Sequence, residues 1–270
     1  MAENYKIQTD SSRERNQLLL TKAQIGFLLG YPKISEYELK IRQQKLDEFD
    51  LQNFYSLGSK QLSDFQILGL GYVGLVVLVD QNQHEYALKI RRTDAPKADL
   101  FLEAQALQKA NMHGIAPKIM QANSDFILME YVKGEAFIEW LKQAIARQNK
   151  SVIINVLESL LQQAFQLDQI GLDRGDMNCI TNDVIITAQN QPVLIDFSSA
   201  SGDRQQKNLT SLVQGLFWGS IVAEHLRPLF PYCNQDYLIP FLRRYKKESN
   251  LISFESLKQA ILFPSSKDYR

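Results

Sequence analysis

Gly69, Gly71 and Gly74 stand in the order G-x-G-x-x-G within "GLGYVGLVVLVD". Three positions without side chains at this spacing let a backbone come close to phosphate oxygens without steric conflict. Two unrelated nucleotide-binding designs share the pattern. One places a dinucleotide pyrophosphate at the N-terminus of a helix that begins inside the motif; the other lays a β-hairpin over the phosphates of ATP. The residues after Gly74 discriminate between them. "LVVLVD" is continuous and rich in β-branched residues, "QNQ" is a turn, and "HEYALKIRR" is a second extended run, so the stretch reads strand, turn, strand. A dinucleotide-binding oxidoreductase would need a helix there, and an acidic residue about 20 positions on after a second strand. Lys89 and its strand occupy that place instead.

The elements that must position these residues follow from periodicity. "QLLLTKAQIGFLLG" and "SEYELKIRQQKLDEF" have helical spacing and are separated by "GYPKI", so residues 1–60 read as a helical extension on the main body. After the glycine hairpin, "KADLFLEAQALQKAN" places Leu100, Glu103 and Leu107 on one helix face. "HGIAPKIMQA" and "NSDFILMEYVKG" supply short strands. "SVIINVLESLLQQAFQLDQIG" carries apolar residues at 153, 156, 157, 160, 161, 164 and 167, a buried helix closed by Gly171. "DVIIT" and "PVLID" are two further strands, and the chain from "LTSLVQGLFWGSIVAEHL" onward is helical. A sheet-rich front and a helical back predict an α+β protein of two lobes with a cleft between them.

Composition is that of a soluble globular chain: 270 residues, 45% apolar and 22% charged, with 30 basic and 30 acidic side chains that cancel. The balanced charge gives no indication of nucleic acid or of an anionic membrane as a partner. "FLRRYKK" gathers four basic residues and reads as a solvated helix face, with a patch for RNA or an acidic partner as the alternative. Cys179 and Cys233 show no disulfide framework or metal spacing, His84, His113 and His225 lie far apart, and no apolar run reaches the roughly 18 residues of a membrane span. With the polar N-terminus "MAENYKIQTDSSRERN", these features predict a cytoplasmic protein without a signal peptide or membrane association.

The hairpin and its neighbours resemble the signature of the protein kinase superfamily. The full string is G-x-G-x-x-G-x-V, ending at Val76, and the returning strand carries "YALK" with Ala87 and Lys89. The resemblance implies that Lys89 holds the ATP phosphates and pairs with Glu103 of the following helix. "ILMEYVKG" is similar to the kinase hinge, with Met129 preceding an adenine-binding linker of Glu130, Tyr131 and Val132. "PVLIDFS" matches the metal-binding D-F-G position, Asp196 followed by Phe197, with Ser198 replacing the glycine. The loop "GLDRGDMNCITNDVII" admits two registers. In one, Asp173 and Asn178 reproduce D-x-x-x-x-N, with Asn178 lying 18 residues before Asp196. In the other, Asp176 is the catalytic aspartate and Asp183, thirteen residues before Asp196, is the metal ligand, with Asn182 as its substitute. "GD" at 175–176 then resembles the H-G-D of small atypical kinases, with Arg174 in the histidine's place.

Only 74 residues follow Asp196, without A-P-E, and "GIAPKI" and "PVLIDFSSAS" look like the small RIO-like and lipopolysaccharide-kinase-like branch. The resemblance covers about residues 62–200 and implies a bilobal kinase-like fold: a small antiparallel N-lobe at 61–134 and a compact, mainly helical C-lobe at 135–270, after the extension at 1–60. It implies an ATP- and Mg²⁺-dependent serine/threonine protein kinase. Glycines 69, 71 and 74, Val76, Ala87, Lys89, Glu103, Met129, Glu130 and Val132 would bind nucleotide, Asp176 or Asp173 would serve the acceptor, and Asp196 with Asp183 or Asn182 would bind metal. A sugar or other small-molecule kinase shares all these residues. A pseudokinase used as a nucleotide-binding or regulatory module is the other reading, since the loop histidine and the D-F-G glycine are both replaced.

Overall fold

The computed structural model describes residues 18–264. The polar stretch 1–16, and with it the reading that no signal peptide is present, lies outside the described residues. The chain divides into two compact units, residues 1–97 and 98–270.

In the first unit, β1 (Leu18–Leu19) is followed by helices α1 (Lys22–Leu29) and α2 (Glu36–Asp47). Both helices begin at capping boxes: Thr21 with Gln24, and Ser35 with Glu38. In each, the cap hydroxyl and the third helical residue satisfy one another's backbone donors. Then come β2 (Asn53–Ser56), β3 (Lys60–Leu62), β4 (Phe65–Ile67), β5 (Gly69–Leu70), β6 (Gly74–Gln81) and β7 (His84–Arg91). All pairings in this unit are antiparallel: β1 on β2, β2 on β6, β5 and β7 on β6, and β3 on β4. The "QNQ" turn joins β6 to β7 with positive φ at Asn82 (51°) and Gln83 (63°), the backbone of a type I′ hairpin. Leu75, Val77, Leu78 and Val79 are all fully buried, so β6 is a central strand covered on both faces, which is why its sequence is continuous rather than alternating.

Residues 18–60 are less of an extension than the sequence implied. Both helices form as expected, but β2 pairs with β6 through Asn53–Asp80, Phe54–Val79 and Tyr55–Leu78, so the sheet starts before residue 61. Phe27 of α1 meets Phe65 of β4 edge to face at 6.3 Å.

The second unit contains α3 (Phe101–Asn111), the hairpin β8 (Ile119–Ala122) and β9 (Phe126–Glu130), a sheet of β10 (Gly134–Ala136), β11 (Val184–Thr187) and β12 (Pro192–Leu194), and the helices α4 (Phe137–Ala146), α5 (Lys150–Gln169), α6 (Asn208–Phe217), α7 (Ile221–Leu226), α8 (Gln235–Glu248) and α9 (Leu251–Leu262). The seven apolar positions read on α5 are all buried, and Phe165 stacks on Phe254 of α9 at 4.3 Å. The division between units falls at 97/98, whereas the sequence placed boundaries at 60/61 and 134/135. α3, β8 and β9 fall with the second unit, where the segment entering β8 accepts a bond at Ile115 O from Leu194 N of β12 (3.2 Å).

The molecule is thus α+β with antiparallel sheets. Arg243, Arg244, Lys246 and Lys247 are exposed on α8 while Leu242 and Tyr245 are buried, so the helical pattern read there holds. Among the described residues both cysteines are free, and no helix is long and apolar enough to cross a membrane.

Candidate functional site

The glycine hairpin of the first unit is fixed by strand register. Gly69 lies opposite Val76 and Leu70 opposite Leu75, and Gly71 N donates to Gly74 O (2.8 Å) to close the turn. Tyr72 stands exposed at the tip while Val73 turns inward. Across the next pairing, Gly74 faces Arg91, Val76 faces Lys89 and Leu78 faces Ala87. With a period of two, Gly74, Val76, Ala87 and Lys89 share one face of the sheet. Gly74 must be bare for this arrangement to exist: a Cβ there would lie 2.8 Å from Ile90 O and 3.2 Å from Lys89 Cε. The third glycine of the motif is therefore the floor beneath the aliphatic stem of Lys89, which is only 6% exposed.

In the second unit, Glu103 is on the buried side of α3 with Ala106, Leu107 and Ala110, as the face pattern predicted. Met129 is buried near the end of β9, opposite Ile119. The exposed Glu130 exchanges bonds with the Lys118 backbone, donating from N to Lys118 O (2.8 Å) and accepting at Oε2 from Lys118 N (3.2 Å). Tyr131 and Val132 are half-buried in the connection to β10.

The aspartate loop is built from a hairpin and a buried anchor. β11 and β12 pair Val184 with Leu194, and one step outward Ile195 N donates to Asp183 O (2.9 Å), which brings Asp183 beside Asp196. Asp196 Oδ1 accepts from Ser198 N (2.9 Å). Burial is the largest influence on the Asp183 carboxyl and raises its pKa. The like charges of Asp196 and Asp176 raise it further, while the Arg174 guanidinium opposes the rise. Asp183 therefore senses the charge of both Asp196 and Asp176. Asp176 is exposed, on a positive-φ backbone (46°).

Asp173 is of another kind. It is 1% exposed, its backbone forms a two-way bridge with Ser201, its Oδ1 accepts from Gly175 N (3.1 Å) and its Oδ2 is paired with Arg204 Nε (3.0 Å). Gly175 between them has φ 74° and would place a Cβ 2.8 Å from Ser199 O. The two registers of the loop are thus physically distinct: Asp173 is enclosed in structural bonds, and Asp176 is exposed, with its charge felt at Asp183. Asn178 and Asn182 are both exposed.

Arg174 is 2% exposed. It reaches Asp183 Oδ2 through Nη2 (3.1 Å), Met177 Sδ through Nη1 (3.8 Å), and lies over the Phe197 ring at 5.8 Å. Its backbone N–H is held by Asn208 Oδ1 (2.8 Å). Asn208 Nδ2 donates to Leu172 O (2.8 Å) and to Asp168 Oδ1 (2.7 Å), and Asp168 also accepts from Asn208 N, Leu209 N and Tyr245 Oη. Burial pushes the Asp168 carboxyl up, against these hydrogen bonds. Asp168, Asn208 and Arg204 carry the loop, and local spacing gives no sign of them because these partners lie tens of positions apart: Asn208 and Arg174 by 34, Asn208 and Asp168 by 40, and Tyr245 and Asp168 by 77.

Hard carboxylate oxygens such as those of the half-buried Asp183 and Asp196 suit a divalent cation that another ligand also contacts. Among the described residues, no group of three or more His, Cys, Asp and Glu stands close enough to hold a metal by itself.

No family model matches the chain. It is 26% identical over 171 residues, 62% of this chain and 72% of the relative, to a Bacillus subtilis protein named "Putative serine/threonine-protein kinase YrzF". It is 25% identical over 121 residues, 44% of this chain and 99% of the relative, to a Methanocaldococcus jannaschii protein named "Uncharacterized protein MJ1211".

Proposed function

We propose that this chain is an ATP-dependent phosphotransferase with a bilobal kinase-like fold of the small atypical, RIO-like or lipopolysaccharide-kinase-like kind. The observation that carries the reading is that the β11–β12 pair brings the backbone of Asp183 to that of Ile195, next to Asp196, and that the charges of Asp196 and Asp176 are both felt at the Asp183 carboxyl. Asp183 and Asp196 fit Mg²⁺ because they offer hard oxygen donors whose mutual repulsion a cation would offset. When bound, Mg²⁺ neutralises and orients the phosphate oxygens. Asp176 is assigned to the acceptor hydroxyl, which it orients and whose proton it accepts, in preference to the enclosed Asp173. Asn182, which is exposed, is the substitute for Asp183 in the metal set.

Lys89 and the backbone of the Gly69–Gly74 hairpin are assigned to the nucleotide phosphates, Glu103 to fixing Lys89, and Val76, Ala87, Met129, Glu130 and Val132 to the adenine side. A protein serine or threonine as acceptor is supported by the name of the Bacillus relative.

Thermal melting tests the reading: ATP with Mg²⁺ at 100 times its dissociation constant stabilises the chain by about 2.7 kcal/mol. ADP formation then accompanies transfer and falls to background in Asp196→Ala. No melting shift with ATP and Mg²⁺ overturns the proposal.

A second reading, a nucleotide-binding regulatory module, is favoured by one observation: Arg174 already supplies a positive partner to Asp183. It predicts a melting shift with nucleotide but no ADP formation with any protein, sugar or other small-molecule acceptor.

A further inference from the structure

Residues 18–49 contribute none of the residues assigned to nucleotide or metal, yet the helices of this stretch are tied to the glycine hairpin. At the corner between α1 and α2, Thr93 N donates to Tyr31 O (2.9 Å) and Thr93 Oγ1 donates to Lys33 O (2.8 Å). From α2, the buried Arg42 donates through Nη2 to Arg91 O. Arg92 lies between these two attachments and turns to the hairpin. Its backbone N donates to Val73 O (2.9 Å) and its Nη1 to Gly71 O (3.2 Å). The same guanidinium is gripped from two other directions. Asp94 accepts from Nε at 2.8 Å and from Nη2 at 2.7 Å, and the Tyr31 ring lies beneath it at 5.2 Å. Two carbonyls of the Gly71–Gly74 turn are thus held from outside the hairpin by a single residue that is itself immobilised.

We infer that Arg92 is a positioning residue for the glycine hairpin and that the α1–α2 corner is its brace, so that the first two helices keep the turn in one conformation before any nucleotide arrives. Glycine-rich backbone has the most conformational freedom to lose. Freedom removed in the free protein is not lost again on binding, so a braced turn binds its ligand more tightly. Both anchors use carbonyl oxygens, so neither occupies an amide N–H that a phosphate could use. The brace itself is independent of the phosphotransferase reading, and only its consequence for nucleotide rests on that reading.

Hydrogen exchange of the full chain without nucleotide, followed in peptides spanning 68–76, separates the two. Arg92→Met, which keeps the stem and the backbone bond to Val73 O but removes the side-chain donors, is expected to speed exchange of the turn amides by about tenfold, equivalent to about 1.4 kcal/mol of local opening. Tyr31→Leu, which leaves every charge in place, is expected to speed it by about threefold, with exchange in α5 unchanged in both variants. For ATP with Mg²⁺, both variants are expected to raise the dissociation constant by about fivefold while turnover at saturating ATP changes less than twofold.

Unchanged exchange at 68–76 in both variants overturns the inference, whatever happens to ATP. An effect on ATP from Arg92→Met alone, without faster exchange, also overturns it and makes Arg92 a plain electrostatic contact. Faster exchange in both variants of a chain that binds no ATP upholds the brace and overturns the phosphotransferase reading instead. If Arg92→Met does not fold, Tyr31→Leu and Asp94→Asn carry the test.

Discussion

The glycine hairpin of the first unit and the aspartate loop of the second are both turns carrying candidate phosphate chemistry, and they are held differently. In the hairpin, position is set by the antiparallel register of β5, β6 and β7 and by an omitted side chain at Gly74. In the loop, position is set by side chains reaching across the second unit: Asn208 to Arg174 and Leu172, Asp168 to α6 and Tyr245, and Arg204 to Asp173. Strand register distributes its stabilisation over many modest backbone bonds. A buried polar anchor concentrates it in a few groups whose loss strands their partners. The first arrangement should tolerate most single changes except added volume; the second should fail at one atom.

The sharpest break is expected at Asp168→Ala. It strands the Asn208 amide, two backbone N–H groups and the Tyr245 hydroxyl in a buried site, and should destabilise the second unit by about 3 kcal/mol or more. Urea unfolding followed by tryptophan fluorescence reads this unit alone, because both tryptophans, Trp140 and Trp218, belong to it.

Next is Arg174→Met, which removes the counter-charge of Asp183. Because the Asp183 side chain keeps 32% exposure, the expected loss is about 2 kcal/mol rather than that of a fully buried pair. The folded-state pKa of Asp183 is raised, so its ionised form is the one the fold disfavours, and the penalty grows as pH rises through that pKa. The deficit of the variant should therefore shrink on acidification. A deficit that stays the same from neutral to acid pH would show that the loss is packing, not charge.

Glycine substitutions test the other side of the comparison. Gly74→Ala is expected to cost about 1–2 kcal/mol, since its Cβ meets the Ile90 carbonyl at 2.8 Å and backbone must move. Gly71→Ala, whose Cβ would meet nothing closer than Gly74 O at 3.5 Å, should stay within about 0.5 kcal/mol. Equal costs at the two positions would remove the claim that Gly74 serves the lysine stem.

The smallest effect is expected at Tyr55→Phe on β2. Tyr55 Oη donates to Asp80 Oδ2 (2.7 Å), and chiefly this bond pushes its pKa up to about 12. The bond contributes no more than about 1 kcal/mol. Since the folded pKa is raised, that contribution is full below pH 10 and fades as pH climbs towards 12. Wild type and variant should thus converge in alkaline melts.

Much of this was legible in the chain. The turn after Gly74, the inward face of α3, the seven buried positions of α5 and the strand pair flanking "AQNQ" all follow from residue patterns local enough to read by periodicity. The two registers of the aspartate loop were not separable in that way. Asp173 and Asp176 are three positions apart in the same kind of turn sequence, and their difference arises from Arg204 and Ser201, which meet only one of them. The strand within residues 18–60 is not legible from periodicity, because β2 is four residues long and takes its partner from β6, more than twenty positions on.

The sequence by itself determined which segments extend, which coil and where bare backbone occurs, because those are set by neighbours within a few residues. Only the tertiary structure decided which aspartate is enclosed and which opens to solvent, and that Arg92 grips the glycine turn, because a polar group's role depends on what desolvates it and what it bonds, and those partners lie tens of residues away.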